Sequence, residues 1–227
     1  MDEPGLAPVL HRDALLGLSR INAVSRTVAS VWSPLEAFIR RHARRDLSVL
    51  DLACGGGDLA IGLASRAQRS GFALTVDGCD ISQTAISLAE ERAKRSMSPV
   101  RFHRLDVLHE EFPRQYDAIV CSLFLHHLDS VEAVRLLERC ASNVRGVFIV
   151  SDLDRTATGL VLAWAGTRLL SWSPVVHVDG IRSVRAAFTR NEAQRLAVQA
   201  GLSAPRFHTS VVSQWPCRWR LVAERIR

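Results

Sequence analysis

The chain has 227 residues, of which 48% are hydrophobic and 23% charged, which is enough apolar material for the core of a folded domain. Its net charge of +6 is carried almost wholly by arginine, since Lys94 is the single lysine, and the cations are spread along the chain. We therefore expect a solvated basic surface and no nucleic-acid partner. The longest apolar stretch, residues 158–170, contains Arg168 and falls short of the roughly 20 residues of a membrane span, so none is expected.

Cysteine usage and the start of the chain predict a cytoplasmic protein. The five cysteines are an odd number, and no two of them form a Cys-x-x-Cys pair. A disulfide framework or a zinc site is therefore not expected. The first residues mix polar and apolar side chains and lack the pattern of a signal peptide.

The chain begins with helical patterns and continues with alternating strands and helices. One helix is predicted over residues 11–30 and a second over residues 34–45, with Ser33 as N-cap and Pro34 at the first helical position. Strands are predicted over residues 48–53, 74–80, 100–104, 116–122 and 146–151, and helices over residues 58–69, 82–95 and 130–141. Continuous apolar strands that alternate with helices favour a parallel sheet covered by helices on both faces.

The pattern changes after residue 152. An apolar helix is predicted over residues 156–170, and a turn-rich segment with Pro174 and Gly180 over residues 171–180. The chain then ends with a helix over residues 189–200, which has a capping box at Thr189 and Glu192 and a stop at Gly201, and with strands over residues 206–212 and 218–223.

The most informative stretch is residues 49–58, where a strand runs into a turn of three glycines before a helix begins. Glycine lets the backbone turn sharply and lets a ligand approach it closely. Gly55, Gly57 and Ala60 have the spacing of a dinucleotide-binding turn. Asp51 lies inside the strand, where a buried carboxylate would repel a pyrophosphate but attract the ammonium and the sulfonium of S-adenosylmethionine. We therefore expect the latter cofactor.

Three further acids extend this pattern. Asp58, at the start of the helix, is a second candidate acid for the cofactor or a helix cap. Asp80 ends the second strand, where it can accept both ribose hydroxyls or cap the next helix. Asp106 follows the third strand and suits the adenine amino group, with Ile81 and Val107 as apolar walls on the ring.

Together these features resemble the motif series of class I S-adenosylmethionine-dependent methyltransferases, especially small-molecule enzymes of the quinone and polyketide kind. The resemblance covers roughly residues 46–155 and includes the Cys-Ser-Leu-Phe-Leu-His-His-Leu stretch at 121–128. It implies an α/β, Rossmann-like fold with a seven-stranded, mostly parallel sheet of order 3-2-1-4-5-7-6, in which strand 7 is antiparallel. It also implies that Ala53 lies in the cofactor turn and Ser122 beside the methionine end of the cofactor.

We expect one methyltransferase domain over residues 1–227, as a monomer or a homodimer. Its expected parts are an N-terminal helical cap (1–46), a cofactor-binding core (47–155), a lid or substrate segment (156–188) and a C-terminal helix with a strand pair (189–227).

The reaction sets what the remaining residues must do. Methyl transfer from a sulfonium is an in-line displacement, to which an enzyme contributes alignment and exclusion of water. A phenolic acceptor must also lose a proton, for which His126 and His177 are candidate general bases, with bracing of their loops as the alternative for each. Contacts with the substrate are expected from His127, Trp164, Arg182 and Phe188, and Arg20 is expected to hold the cofactor carboxylate.

Several aromatic residues and two acids in the last third of the chain could contact a ligand, but each also has a simpler structural interpretation. Trp164, Trp172, Phe188 and Trp215 suit a flat acceptor but also suit core packing. Asp152 and Asp154 follow the fifth strand without a third oxygen ligand nearby, so no metal is expected.

The sequence thus favours methylation of an oxygen on a phenolic or polyketide-type small molecule, with C-methylation of a quinol-like ring as the alternative. A nucleic-acid methyltransferase is disfavoured because the fourth strand ends in Cys-Ser-Leu-Phe instead of the Asn/Asp-Pro-Pro-aromatic signature. Asp51 disfavours an NAD-dependent oxidoreductase. A non-catalytic cofactor-binding protein stays open, because binding motifs do not prove turnover.

Overall fold

The computed structural model describes residues 8–44, 46–171 and 174–226, and in these ranges the strands form one seven-stranded sheet. The strands are β1 Asp46–Leu52, β2 Ala73–Asp80, β3 Arg101–Arg104, β4 Tyr116–Ser122, β5 Val144–Leu153, β6 Phe207–Gln214 and β7 Arg218–Arg225. Their order, β3-β2-β1-β4-β5-β7-β6, confirms the expected fold. All pairs are parallel except those of β7 with β5 and with β6.

Helices cover both faces of the sheet. They are α1 Pro8–Val24, α2 Thr27–Arg41, α3 Asp58–Arg69, α4 Gln83–Arg95, α5 Ser130–Asn143, α6 Ala157–Leu170, α7 Pro174–Ala186 and α8 Arg190–Gln199, with a short 3-10 helix at Leu125–His127. Side chains alternate along β1, so that Leu50 and Leu52 pack in one core with α5 and α8, while Val49 packs in the other with α2, α3 and α4. None of the helices described is both long and apolar enough to cross a membrane.

The N-terminal helices differ from the prediction over residues 11–30 and 34–45. The chain breaks between α1 and α2 at Arg26, whose φ of 55° is left-handed, and Pro34 lies inside α2 instead of at its start. A proline at this position leaves the carbonyl of Ser30 without its helical N–H donor. The guanidinium of Arg220 donates to that carbonyl at 3.0 Å, so a strand far along the sequence makes the internal proline tolerable.

The segment predicted as turn-rich over residues 171–180 is mostly helical. Helix α7 starts at Pro174, and proline fits the first turn of a helix because no N–H is needed there. Trp172 and Ser173 lie outside the described residues. Helices α6 and α7 pack on each other and on α1, and together they cover one edge of the sheet.

Other local predictions are confirmed. Thr189 and Glu192 form the capping box of α8, and Gly201 after this helix has the left-handed φ of +70° that favours glycine. Ser82 caps α4 by accepting the backbone N–H of Ala85.

Ile119 on the central strand β4 is fully buried, and we expect Ile119→Ala to lower the free energy of unfolding by about 2–5 kcal/mol because it leaves a cavity in the core. Urea denaturation followed by circular dichroism measures this change. Val131→Ala, at a side chain that is 75% exposed, is the matched control and should change stability by less than about 0.5 kcal/mol. Equal effects of the two substitutions would contradict the assigned core.

Candidate active site

A cavity of about 1160 Å³ opens at the carboxyl ends of the parallel strands. Its walls come from the turns after β1, β2, β3 and β4, from the α1–α2 junction, from α6 and α7, and from the start of β7. Ligand crevices of open α/β sheets lie at this edge. Because pockets for one small ligand measure roughly 300–1,000 Å³, the cavity has room for a cofactor together with a second molecule.

The turn after β1 is held in a tight, left-handed path. Ala53 and Gly55 have φ values of 51° and 52°, and both line the cavity. Asp80 fixes the turn, since its Oδ2 accepts the backbone N–H of Gly55 at 2.9 Å while its Oδ1 accepts that of Ser82 at 2.9 Å. The turn therefore joins the ends of β1 and β2 and leaves its backbone open to a ligand.

Gly57 has a different task from the one expected of it. It has a φ of 78° but is not among the residues that line the cavity. A Cβ at this position would lie 2.8 Å from the ring of Phe102 on β3 and 3.0 Å from Cβ of Ala89 on α4. This glycine is required for close packing of α3 against the neighbouring elements, because any side chain would collide with them.

Three buried polar atoms of residues in the cavity wall have no hydrogen-bond partner in the described chain: Oδ1 of Asn22, Oδ2 of Asp51 and Oγ of Ser122. Asp51 is 1% exposed, and burial raises its pKa well above the ordinary value, with further increases from the charges of Asp80 and Asp58. Asp58 itself is paired with Arg92 and accepts the hydroxyl of Ser19 at 3.1 Å. The wall beside Asp51 and Ser122 thus favours a cationic ligand that also donates hydrogen bonds.

The expected purine wall lies farther along the same edge. Ile81, 60% exposed, lines the cavity together with Asp106 and Val107. The carboxylate of Asp106 accepts the backbone N–H of Leu108 at 3.0 Å and lies 2.9 Å from Nδ1 of His109. Its pKa is lowered, because these contacts outweigh the effect of desolvation.

A buried His–Asp pair faces the other part of the cavity. Nδ1 of His126 lies 2.7 Å from Oδ1 of Asp152, and the two side chains are 6% and 1% exposed. Asp152 also accepts the backbone N–H groups of Phe124 and His126 through Oδ2 and that of Leu153 through Oδ1. Burial alone would raise the pKa of Asp152, but the neighbouring His126 and the N–H of Leu153 hold it below the ordinary value.

The pair has a direct chemical consequence. A carboxylate that accepts from Nδ1 fixes the neutral tautomer in which Nε2 is the proton acceptor, and it stabilises the imidazolium that forms after proton transfer. Such a pair is chemically able to take up a proton at Nε2. His127 lies beside it, exposed, with its ring centroid 4.2 Å from that of His126, and it also lines the cavity.

Five residues that the sequence predicts at the site are not among those that line the cavity. His177 is on α7, with Nε2 2.7 Å from the carbonyl of Ser171, and Arg20 and Arg182 are exposed on α1 and α7. Trp164 is 53% exposed, and Phe188 packs against the core that contains α5 and α8. Helix periodicity directs the side chains of Arg20, Trp164 and Arg182 outward, whereas Leu162, Ala163, Gly180 and Ser183 of α6 and α7 line the cavity. Phe188 lies in the loop between α7 and α8.

Two contacts at the site are not predicted by the sequence. The sequence indicates Asp152 only as a weak candidate metal ligand, although its position at the end of β5, next to the loop after β4, is a usable signal for pairing with His126. In the part of the chain that is described, no group of three His, Cys, Asp or Glu side chains could hold a metal ion. The second contact, made by Arg218 at the start of β7, has no signal in the sequence, because its partners are residues near the N-terminus.

Comparisons with known proteins agree with this geometry. A family model described as "Methyltransferase domain" matches residues 49–146. The ubiquinone biosynthesis O-methyltransferase of Chromobacterium violaceum is 30% identical over 171 residues, which are 73% of this chain and 68% of that protein. The enzyme of the same name from Rickettsia bellii is 26% identical over 167 residues, and the chain spans 62% of its length.

Solved structures share the fold. Magnesium protoporphyrin IX methyltransferase from Synechocystis PCC 6803, with bound S-adenosylhomocysteine, has a TM-score of 0.62 and 22% identity and covers 99% of this chain and 90% of its own. An O-methyltransferase from neocarzinostatin biosynthesis was solved in complex with S-adenosylhomocysteine and 1,4-dihydroxy-2-naphthoic acid. It has a TM-score of 0.67 and 20% identity, and the match covers 97% of this chain and 58% of that enzyme.

The burial of the Asp51 carboxyl group predicts how the stability of the ligand-free protein depends on pH. A carboxyl group with a raised pKa keeps a proton that the unfolded chain has released, so it lowers stability as the pH rises above the ordinary pKa of aspartate. We expect Asp51→Asn to stabilise the ligand-free protein by about 1 kcal/mol or more at pH 8, and by less at pH 4. Thermal unfolding at both pH values measures this change in stability. Asp46→Asn is the control, because Asp46 is an exposed acid on the same strand. A gain that is independent of pH would contradict this account.

Proposed function

Because the chain belongs to the class I S-adenosylmethionine-dependent methyltransferases, we propose that it transfers the methyl group to a hydroxyl oxygen of a small aromatic acceptor. The observation that supports the choice of oxygen is the pairing of His126, which lines the cavity, with the buried Asp152 behind it. A phenol or a polyketide-type aromatic is the acceptor class that uses such a base, since its hydroxyl proton must leave.

The residues around the β1 turn fit S-adenosylmethionine, the cofactor of this family, which supplies a methyl group activated on a sulfonium. We assign Oδ2 of Asp51 and Oγ of Ser122 to the amino acid end of the cofactor, because an ammonium satisfies both orphaned atoms. Asp80 is assigned to the ribose hydroxyls, and Asp106 to the adenine amino group. The opposite wall, from Ile81 and Val107, is apolar, as an adenine ring requires.

The chain's own part in the reaction is alignment and proton transfer. His126 would accept the proton of the acceptor hydroxyl at Nε2, so that the oxygen could take the methyl group that the cofactor would supply; the carbon–sulfur bond would break and S-adenosylhomocysteine would leave. Asp152 holds Nδ1–H and balances the positive charge that the ring gains. Helices α6 and α7 cover the cavity with apolar side chains such as Leu162 and Val184, which keeps water away from the reacting atoms.

The relatives support this choice of acceptor. Both named relatives are O-methyltransferases of ubiquinone biosynthesis, and the O-methyltransferase from neocarzinostatin biosynthesis was solved with a dihydroxynaphthoic acid. Each of these names indicates transfer to oxygen. The five free thiols, of which Cys79, Cys121 and Cys140 are buried, support the cytoplasmic location expected from the sequence.

The cofactor assignment predicts the effect of Asp80→Ala on binding. Isothermal titration with S-adenosylhomocysteine should give micromolar affinity for the unaltered protein and a loss of about 1–3 kcal/mol for the variant, because a buried hydrogen-bonding partner is removed. NADH is the control ligand and should not bind. Unchanged affinity in a folded Asp80→Ala variant would remove this residue from the cofactor site.

The base assignment predicts a loss of turnover with intact cofactor binding. We expect His126→Gln and Asp152→Asn each to lower kcat by roughly 10²–10⁴-fold, because the first removes the proton acceptor and the second its orientation. Methyl transfer to a panel of phenols, quinols and naphthols measures the rate, and titration with S-adenosylhomocysteine checks the binding.

His127→Gln is the matched control for this experiment, since His127 is a neighbouring, exposed histidine in the same wall. It should keep a rate within a few-fold of the unaltered protein. Full turnover by His126→Gln would rule out the proposed base and would favour a reaction that needs no proton acceptor from the chain.

A further inference from the structure

Arg218 is a buried cation in the cavity wall that the proposed reaction does not use. It is the first residue of β7, opposite Leu153 of β5, and it is only 4% exposed. The backbone at this point is fixed, because the N–H of Asp154 donates to the carbonyl of Cys217 at 2.9 Å. The side chain therefore has a defined place between the sheet and the α1–α2 junction.

The contacts of Arg218 leave its charge without a direct counterion. Its Nη1 donates to Oγ1 of Thr27 and its Nη2 to Oγ of Ser25, each at 2.8 Å, and both acceptors are neutral hydroxyls. No carboxylate of the described chain lies within 4 Å of the guanidinium. Asp152 acts on it only at longer range, and the oxygens of that acid are already engaged by His126 and by backbone N–H groups.

Arg92, another arginine in the cavity wall, differs from Arg218 because it has a counterion. Arg92 is paired with the carboxylate of Asp58 and also donates to the carbonyl of Gly56. Burial lowers the pKa of Arg218 to about 10, so that it stays protonated at neutral pH. A buried charge without a counterion is unfavourable, and an anion entering the cavity would remove that cost.

The surroundings of Arg218 indicate which molecule brings the anion. In the strand order, β7 is three strands from β1, or roughly 14 Å from the turn assigned to the cofactor, and it adjoins β5, whose Asp152 holds His126. Leu153 is the β5 partner of Arg218. A Cβ on Gly159 of α6 would lie 3.3 Å from Cβ of Cys217, the residue before Arg218, and Leu162 and Ala163 of the same helix add apolar side chains to the cavity wall. This part of the cavity thus combines a cation and a base with apolar walls.

We propose that Arg218 is an anion-binding residue of the acceptor site, and that the acceptor is a hydroxylated aromatic compound that carries a carboxylate. The planar fork of arginine matches a carboxylate, and hydroxyls of Ser25 and Thr27 take up only two of its five N–H donors. The proposal rests on the proposed function, since it names the acceptor of the same site. It makes Arg218 a specificity-determining residue that orients the acceptor hydroxyl toward His126.

The test measures binding to the protein saturated with S-adenosylhomocysteine. The probes are 3,4-dihydroxybenzoate and its methyl ester, and 1-hydroxy-2-naphthoate and its methyl ester, so that each pair differs in one negative charge. We expect each acid to bind roughly 10- to 100-fold more tightly than its ester, because a hydrogen bond to a charged group is lost in the ester. Arg218→Met should abolish this preference, and Arg218→Lys should keep part of it.

Arg220→Met is the matched control. Arg220 is on the same face of β7, its guanidinium binds the carbonyl of Ser30, and it does not line the cavity. Loss of this cation should leave the preference for acids unchanged. Replacement of a buried charge by an apolar side chain is often tolerated, so Arg218→Met is expected to fold, which its thermal unfolding and its affinity for S-adenosylhomocysteine verify.

Four results would overturn the proposal. Acids that bind no more tightly than their esters, or probes of both kinds that do not bind at millimolar concentration, would show that the site does not select an anion. Weaker binding of S-adenosylhomocysteine by Arg218→Met would assign the guanidinium to the cofactor carboxylate. Equal losses for acids and esters, together with a lower melting temperature, would mean that Arg218 only clamps the α1–α2 junction. Methyl transfer to the esters tests the proposed function separately, because the esters keep the hydroxyl and lack the anion. If the esters are methylated, the proposed function holds even when one of these results overturns the anion site.

Discussion

The site depends on two buried carboxylates at the carboxyl ends of parallel strands, Asp51 near the end of β1 and Asp152 near the end of β5. Each is about 1% exposed, yet the chain treats them oppositely. Asp51 has an oxygen without a partner and a raised pKa, whereas Asp152 is satisfied by a histidine and three backbone N–H groups and has a lowered pKa. Acids whose pKa values are pushed apart in this way have different tasks. The first would be satisfied by a cation, and the second holds the backbone N–H groups of Phe124 and His126 together with the ring of His126.

The closure of the cavity depends on contacts between the two ends of the chain. Arg220 on β7 supplies the donor that Pro34 cannot give to Ser30, and Arg218 holds the hydroxyls of Ser25 and Thr27 on either side of the break at Arg26. The N-terminal helices therefore lie over the sheet edge at a fixed position. Because Ser25 and Thr27 line the cavity, the contacts of Arg218 with them also shape the site.

The polar atoms of the cavity are not arranged for the stability of the empty protein. The wall of one cavity contains a carboxylate oxygen of Asp51 and a hydroxyl of Ser122 without hydrogen-bond partners, and the guanidinium of Arg218 without a counterion. Each of these groups lowers the stability of the protein until a ligand binds to it. A ligand with an ammonium near Asp51 and Ser122 and one with an anion near Arg218 would satisfy them at opposite ends. In the strand order, β4, which leads to His126, lies between β1 with Asp51 and β7 with Arg218.

Local sequence determined the parts of this protein in which one short stretch contains the whole signal. The apolar strands, the glycine turn after β1, the acids Asp80 and Asp106, and the capping box at Thr189 all follow from neighbours within a few residues, and the series of motifs implied the strand order. Tertiary structure decided everything that depends on residues far apart. Pro34 inside a helix requires Arg220, the orientation of His126 requires Asp152, and the burial of Arg218 requires the α1–α2 junction. His177 and Trp164 illustrate the same limit, because whether a helical side chain faces a cavity or solvent is set by the packing of the helix and not by its own pattern.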